Sequence, residues 1–230
     1  MNNKRVLLLL VAITLLFSLI SCTDDGKDGN KNREYNSAEV EQAAKTLIEK
    51  SLSLNEILYG KGFEWEEGES NEIYKKASSD SLNYYGVNTV SELKQKISEV
   101  FSTKYIELLN KSDVFSSVKD DDAVRFYTRY FEDKDENGKN CIFVYTDYDY
   151  VLKNKYEYIT EPKAVRSEGD LVIVKATVRA SIIGENGQVT KVRDFEQEIK
   201  MIEENGAWRL NSETYIVYDE YRDQYENMNK

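Results

Sequence analysis

The spacing of apolar residues changes near residue 122, and this change constrains the fold more than any other feature of the chain. Before it, apolar residues recur at helical spacing, as in Leu93, Ile97 and Val100. After it they alternate, most regularly from Val172 to Ile182. Helices followed by an antiparallel meander predict an α+β fold, in which N-terminal helices pack on a curved antiparallel sheet.

Three helices are predicted in the first half of the chain. Two of them begin with the spacing of a capping box, Asn36 with Glu39 and Thr89 with Glu92. The three predicted ranges are 36–60, 70–78 and 89–109. Ser102-Thr103 is a point at which the last helix can divide in two.

Six strands are predicted in the second half, because β-type alternation is interrupted there by turn residues. Their expected ranges are 124–131, 141–146, 157–166, 172–182, 189–202 and 208–210. Pro162 lies inside the third strand and predicts a sheet edge or a bulge there. Asn186-Gly187 and Asn205-Gly206 are typical of hairpin turns.

The first 22 residues combine a positive start, an apolar run and a cysteine. Lys4 and Arg5 precede an almost unbroken apolar run from Val6 to Ile20. As a helix this run is about 22 Å long, too short for a bilayer core of about 30 Å, and it predicts a secretory signal. Leu19-Ile20-Ser21-Cys22 resembles the bacterial lipobox, whose cysteine is diacylated on sulfur after the signal is cut before it. That resemblance implies lipidation at Cys22 and an anchor on the extracytoplasmic face of the membrane.

Composition excludes several functions. The formal charge of -11 argues against nucleic-acid partners, because phosphate binding requires a basic surface. The chain has no histidine, which excludes His-dependent triads and the commonest zinc ligand sets. Of 2 cysteines, Cys22 is assigned to lipid, so Cys141 has no partner within the chain and is expected to be a buried, inert thiol. No cofactor is expected.

The chain therefore divides into four predicted parts. Residues 1–21 are a signal peptide, and residues 22–36 are the lipidated cysteine with a flexible polar tether. Residues 37–218 are one α+β domain, and residues 219–230 are a polar C-terminal tail.

The order of elements resembles the NTF2-like (cystatin-like) fold. The chain is also similar to uncharacterised surface lipoproteins of low-GC Gram-positive bacteria, and distantly to a family that inhibits the DL-endopeptidases of the cell wall. The stretches that carry this resemblance are Tyr84 to Val87, Ser91 to Ser102, Val124 to Tyr127 and Gly206 to Tyr215. They are core and turn residues, so the resemblance implies a fold and supplies no functional residues. Enzymes of this fold use Asp, His or Tyr inside a cone formed by the sheet.

One motif suggests a metal. Residues 133–138 spell Asp-x-Asp-x-Asn-Gly, the first half of a calcium loop, with oxygen ligands at Asp133, Asp135 and Asn137. The closing carboxylate should stand at position 12 of such a loop, where this chain has Val144. A polar hairpin tip is the favoured interpretation, with weak calcium binding as the alternative.

Aromatic and basic residues supply the candidate ligand site. Arg125, Tyr127 and Arg129 alternate on one predicted strand, where they could face an anionic or sugar ligand or form salt bridges on a solvent face. Seven tyrosines between Tyr127 and Tyr158 are expected in the core or in a partner surface. Trp208 follows a hairpin turn and is expected to be mostly buried, with an open ligand site as the competing hypothesis.

Together these features predict a membrane-anchored extracytoplasmic lipoprotein, more plausible as a non-enzymatic binding module than as an enzyme. Its expected partners are the membrane, through the lipid, and an envelope protein or a small ligand. The alternatives are an inhibitor of a cell-wall peptidase and a small-molecule enzyme of the NTF2-like type. A shallow cone with an exposed aromatic patch would favour protein binding. A buried cone that contains an Asp with a Tyr partner would favour an enzyme.

Overall fold

The computed structural model describes residues 34–67, 73–116, 128–150, 152–184 and 186–215. The signal peptide, Cys22, Arg125, Tyr127 and the tail therefore lie outside the described residues. The helices are α1 (Ser37–Tyr59), α2 (Ser79–Tyr85), α3 (Val90–Val100) and α4 (Thr103–Asn110). The strands are β1 (Tyr74–Lys76), β2 (Tyr130–Lys134), β3 (Asn140–Tyr145), β4 (Lys155–Tyr158), β5 (Lys163–Glu168), β6 (Leu171–Ile183), β7 (Val189–Glu204) and β8 (Ala207–Leu210).

The long first helix begins and ends as its sequence predicts. The side chain of Asn36 accepts hydrogen bonds from the N–H groups of Ala38 and Glu39, which have no partner inside the helix. At the other end, the N–H of Gly60 bonds to the carbonyls of Asn55 and Glu56. The apolar stripe of α1 is buried along its whole length, so this helix is the centre of the core.

The second predicted long helix divides in two at Ser102, as the sequence allowed. The N–H of Ser102 donates to the carbonyl of Leu210, so at this point the chain bonds to β8 and leaves the helix. The Ser102 hydroxyl then accepts the N–H of Tyr105 and caps α4.

The short helix predicted over residues 70–78 is wrong in its described part. Tyr74–Lys76 instead form β1, an edge strand paired with Phe143–Tyr145 of β3. The helix starts later because Ser78, through its side chain, accepts the N–H of Ser81 and caps α2.

The strands form two antiparallel sheets where the sequence predicted one. The first has the order β1-β3-β2, and the second has the order β4-β6-β7-β8, with β5 beside β4 on the same edge of β6. Few helices with curled antiparallel sheets make the chain an α+β protein, as predicted. The prediction of a single sheet was wrong because, among the described strands, β2 and β3 pair only with each other and with β1, which comes from the helical half of the chain.

The hairpin of β6 and β7 is the longest element of the second sheet. Val172, Val174 and Val178 are fully buried on the face that looks toward the helices. The opposite face carries ion pairs, including Arg179 with Asp194 at 2.8 Å and Lys175 with Glu196 at 2.6 Å. The single strand predicted over residues 157–166 is instead two strands, β4 and β5, because the chain is interrupted around Pro162. Both lie at the edge of the sheet, as predicted from the proline.

One main core joins these layers. The apolar sides of α1, α3 and α4 pack against both sheets, and the fully buried members include Leu58, Leu93, Ile142 and Ile199. Each such side chain contributes about 1.5–3 kcal/mol relative to exposure. Within the described ranges, no helix is both long and apolar enough to cross a membrane.

Candidate functional site

Arg129 clamps the end of α1. Its guanidinium donates to the carbonyl of Leu58 at 3.0 Å and to that of Gly60 at 2.5 Å. The neighbouring Tyr130 hydroxyl donates to the Ile57 carbonyl at 2.7 Å. These carbonyls lie at the negative end of the helix dipole, and the last turn of α1 contains no basic residue of its own. Arg129 therefore supplies the missing positive charge from another part of the chain.

The surroundings of Arg129 confirm that role. Arg129 is 1% exposed, so the predicted salt bridge on a solvent face is wrong. Its guanidinium stacks over the Tyr148 ring at 4.4 Å, while its Nε has no hydrogen-bond partner among the described residues. Gly62 has a positive φ of 78°, and a Cβ there would collide with Arg129 and Tyr130. The clamp thus explains why position 129 is an arginine and why position 62, which packs against it, is a glycine.

Trp208 belongs to the core, as predicted. It is 8% exposed, and its indole N–H donates to the Glu39 carboxylate at 3.2 Å. Because Trp208 lies on β8 and Glu39 lies in the first turn of α1, this contact fastens the final strand to the first helix. The competing hypothesis of an open ligand site at Trp208 has no support from this geometry.

The candidate calcium loop is a hairpin tip between β2 and β3. The Asp135 carboxylate accepts the N–H groups of Asn137 and Lys139, and Lys76 lies 3.6 Å from it. These donors lower the pKa of Asp135, the backbone N–H of Lys139 most of all. No group of three or more Cys, Asp or Glu side chains within the described ranges is arranged to hold a metal ion. The thiol of Cys141 is buried beside the tip, and burial raises its pKa.

The concave face of the second sheet is filled by side chains. Val178, Ala180 and Phe195 form a small buried cluster beyond the end of the main core, and Tyr156 and Tyr158 pack against it. Two of the tyrosines that the sequence marked as core or partner residues are therefore partly buried against this cluster. The Tyr158 hydroxyl donates to the Thr214 carbonyl at 2.8 Å, and burial raises the pKa of Tyr158.

A buried chain of polar side chains lies behind these tyrosines, and no pattern in the sequence predicted it. The Asn55 side-chain NH₂ donates to the Thr214 hydroxyl at 2.8 Å, and that hydroxyl lies 2.5 Å from the Ser51 hydroxyl. Ser51 in turn donates to the Ile48 carbonyl at 2.7 Å, so the donors can all point in one direction. This chain holds the segment after β8 against α1.

A groove of about 330 Å³ opens between α1 and the edge of the second sheet. One wall is the continuous run from Tyr156 to Pro162. The other is a single face of α1, with Lys45, Ile48, Glu49 and Leu52 at helical spacing. Its volume falls within the range of ordinary ligand sites, and apolar groups dominate its lining. Sequence reasoning missed this site because its two walls are more than 100 residues apart.

The rim of the groove is charged. Lys45 lies 2.7 Å from Glu161 across the groove, and this contact raises the pKa of Lys45. Further toward the start of α1, Glu41 accepts from the Lys163 ammonium at 2.9 Å and from the Ala164 N–H at 3.1 Å. The Lys163 hydrogen bond is the main cause of the lowered pKa of Glu41. Contacts from α1 therefore fix the position of the β4–β5 wall.

The outer face of the first sheet forms a second candidate surface. Four partly exposed rings contact one another there, and none belongs to the main core. Phe131 stacks on Phe143 at 5.2 Å, and Tyr74 packs edge-on against Phe131 at 4.7 Å and near Tyr145 at 5.5 Å. Cross-strand aromatic pairs explain most of this arrangement, because the rings stand on adjacent strands.

No protein-family model matches the chain, and no curated protein matches it. Fold and site define an α+β protein of curled antiparallel sheets, in which a groove opens between α1 and the edge of the second sheet.

Proposed function

We propose that the chain is a lipoprotein on the extracytoplasmic face of the cell membrane, anchored through Cys22. The support is the order of a positive start, a short apolar run and Leu19-Ile20-Ser21-Cys22. Two or more acyl chains hold a protein durably at a bilayer, whereas one holds it weakly. The acidic chain needs such an anchor because anionic lipid would repel it.

The folded part, in this proposal, is a non-enzymatic binding module of the NTF2-like type. A long helix lying across a long curled hairpin supports that fold assignment. The single observation that carries the binding role is the groove between α1 and β4, because it is apolar inside and charged at the rim. The partner is a protein of the cell envelope, and inhibition of a cell-wall peptidase is one form that this role can take.

The enzymatic alternative is less well supported. A fold of this type would carry out chemistry inside its cone, and here the concave face holds Val178, Ala180 and Phe195. The Tyr148 hydroxyl donates to the Asp113 carboxylate at 3.2 Å, but this part-buried pair lies beside Arg129 and outside that cluster. The filled cone therefore favours protein binding over small-molecule catalysis.

The anchor can be tested by metabolic labelling with an alkyne fatty acid in a bacterial host. Wild type should carry the label, and Cys22→Ala should lose both the label and the signal cleavage that follows lipidation. Cys141→Ala is the matched control, since it removes the other cysteine of the chain, and it should keep the label. Label that persists in Cys22→Ala would refute the lipidation.

The binding role can be tested by placing a photo-crosslinking amino acid at Leu52, in the groove, and at Leu108, an exposed leucine on α4. Position 52 should cross-link to a defined envelope protein that mass spectrometry identifies, and position 108 should not. Equal cross-linking at both positions, or none at either, would contradict the proposed site.

A further inference from the structure

Two cavities open on the side of α1 opposite the groove, and Tyr85 lines both of them. The first, of about 200 Å³, lies between α1 and α3 over the buried side chains of Leu54, Ile57 and Val100. The second, of about 340 Å³, lies where the end of α1 and the loop after it meet α2. Because Tyr85 belongs to both linings, one elongated ligand can occupy both cavities by lying along its ring.

The cavity between α1 and α3 carries a positive charge. Two ammonium groups from different helices line it, Lys50 and Lys96, against one carboxylate, Glu99. Neither ammonium forms an ion pair or a hydrogen bond with any residue in the described ranges. No residue three or four positions from Lys50 is acidic, and Glu92, four positions before Lys96, already accepts from Asn88. Both lysines can therefore bind an anionic group placed in this cavity.

The cavity beside α2 carries the opposite charge. Its lining contains three carboxylates, Glu56, Glu64 and Asp80. The one base in the lining, Lys61, is already paired with Glu64 at 2.9 Å. Tyr84 also lines this cavity, is 83% exposed, and lies edge-on to the Tyr85 ring at 4.9 Å. Carboxylates beside an exposed aromatic ring suit an ammonium group, through charge attraction and through contact with the face of the ring.

The Tyr85 hydroxyl can contact the middle of such a ligand. Burial raises the pKa of Tyr85 to about 12, and the nearby Glu56 carboxylate adds to the rise, so the hydroxyl is neutral at physiological pH. Within the part of the chain that the structure describes, this hydroxyl has no hydrogen-bond partner. A neutral phenol donates well to an uncharged carbonyl oxygen. The part of the ligand between its charged ends should therefore contain carbonyl groups.

The spacing of the opposite charges sets the length of the ligand. Lys50 and Glu56 are six residues apart on α1, which corresponds to about 9 Å along the helix axis. An extended peptide advances by about 3.3–3.6 Å per residue, so an unblocked tripeptide places its ammonium and its carboxylate at about this separation. The peptide bonds of the tripeptide also supply the uncharged carbonyls.

We propose that the two cavities together bind a linear peptide of about three residues with both termini free, its ammonium in the acidic cavity and its carboxylate between Lys50 and Lys96. The C-terminal side chain of the peptide lies over Leu54, Ile57 and Val100, so an apolar residue is preferred there. This site goes beyond the proposed function, because it adds a small zwitterionic ligand on the side of α1 that the groove does not use. A segment inside a longer chain lacks both terminal charges and should bind poorly.

The probe is the tripeptide alanyl-alanyl-leucine, titrated at neutral pH and low salt against the mature protein with Cys22→Ser. Binding is followed by calorimetry and by the backbone amide signals of Tyr85 and Lys96 in NMR spectra. The free tripeptide should bind and shift both signals. Acetylation of its ammonium and amidation of its carboxylate should each weaken binding at least about tenfold, because each removes one of the two charged contacts.

Matched variants locate the two ends of the peptide. The double variant Lys50→Gln, Lys96→Gln should remove the difference in affinity between the free and the amidated tripeptide and leave the effect of acetylation in place. Asp80→Asn should reduce the effect of acetylation and leave that of amidation. Lys104→Gln, which removes an exposed lysine on α4, is the control and should change neither effect, and circular dichroism checks that each variant is folded.

Three results would overturn the proposal. They are no binding of the free tripeptide, sensitivity to only one of the two blocked ends, and an effect of Lys104→Gln equal to that of the double lysine variant. Cross-linking at position 52, on the other side of α1, would be unaffected by any of these results. Failure of this proposal is therefore distinguishable from failure of the proposed function.

Discussion

Removal of the Arg129 side chain should be among the most damaging single changes in this protein. Arg129→Met keeps the apolar stem and eliminates the guanidinium that bonds to the Leu58 and Gly60 carbonyls. Each hydrogen bond to a charged group contributes about 1.5–3 kcal/mol, and both carbonyls would be left in a buried site. We expect the free energy of unfolding to fall by about 3–5 kcal/mol, as when one partner of a buried charged contact is removed.

The measurement is urea unfolding of the mature chain with Cys22→Ser, followed by tryptophan fluorescence and circular dichroism. For a domain of this size, the same loss corresponds to a fall in Tm of roughly 6 to 20 °C. Arg129→Lys should be intermediate, because an ammonium keeps the charge and loses the planar fork. Arg179→Met is the control, because its ion pair with Asp194 is exposed and should contribute less than about 1 kcal/mol. A loss below about 1 kcal/mol in Arg129→Met would refute the clamp.

Three further predictions follow from the core, the hairpin tip and the charged sheet face. Trp208→Ala should lower the free energy of unfolding by about 3–5 kcal/mol, as large-to-small core changes do; a loss under about 1 kcal/mol in urea titration would reject its core role. Calorimetry at millimolar calcium should show no site tighter than about 10⁻⁴ M, and a micromolar site abolished by Asp133→Ala would contradict the hairpin interpretation. Hydrogen bonds from Arg166, and then from Lys175, lower the pKa of Glu198 to about 2. A carboxylate whose pKa is lower in the folded state than in the unfolded state stabilises the fold above its unfolded pKa, and this stabilisation is lost as pH falls toward 2. The urea concentration at the unfolding midpoint should therefore decrease as pH is lowered from about 5 to about 2. Glu198→Gln should make the urea midpoint depend less on pH over this range, and an unchanged pH dependence would contradict the role of Glu198.

Local sequence rules predicted the parts of the fold that are decided locally. The Asn36 cap, the break at Ser102 and the edge position of Pro162 all depend on residues within a few positions of one another. The alternation from Val172 to Ile182 likewise placed the buried face of β6 correctly, because the period of two fixes which side chains share a face.

Long-range contacts explain what the sequence did not reveal. Arg129 bonds to α1 across about 70 positions, so nothing near it in the sequence distinguishes a helix clamp from a ligand site. Tyr74–Lys76 form a strand because they pair with β3, and local propensity cannot predict a pairing partner that is distant in the sequence. The groove was missed for the same reason, since Leu52 and Tyr158 meet only in the folded chain.

The fastening of α1 at both ends has a mechanical consequence. If Cys22 holds the chain at the membrane, any pull on the domain enters through the start of α1. There, Glu39 is bonded to Trp208, and Glu41 is bonded to the Ala164 N–H, so the load passes into the second sheet. At the far end, Arg129 and Tyr130 join the same helix to the first sheet. Force applied at the anchor would therefore shear α1 against two sheets at once, rather than peel it away one turn at a time.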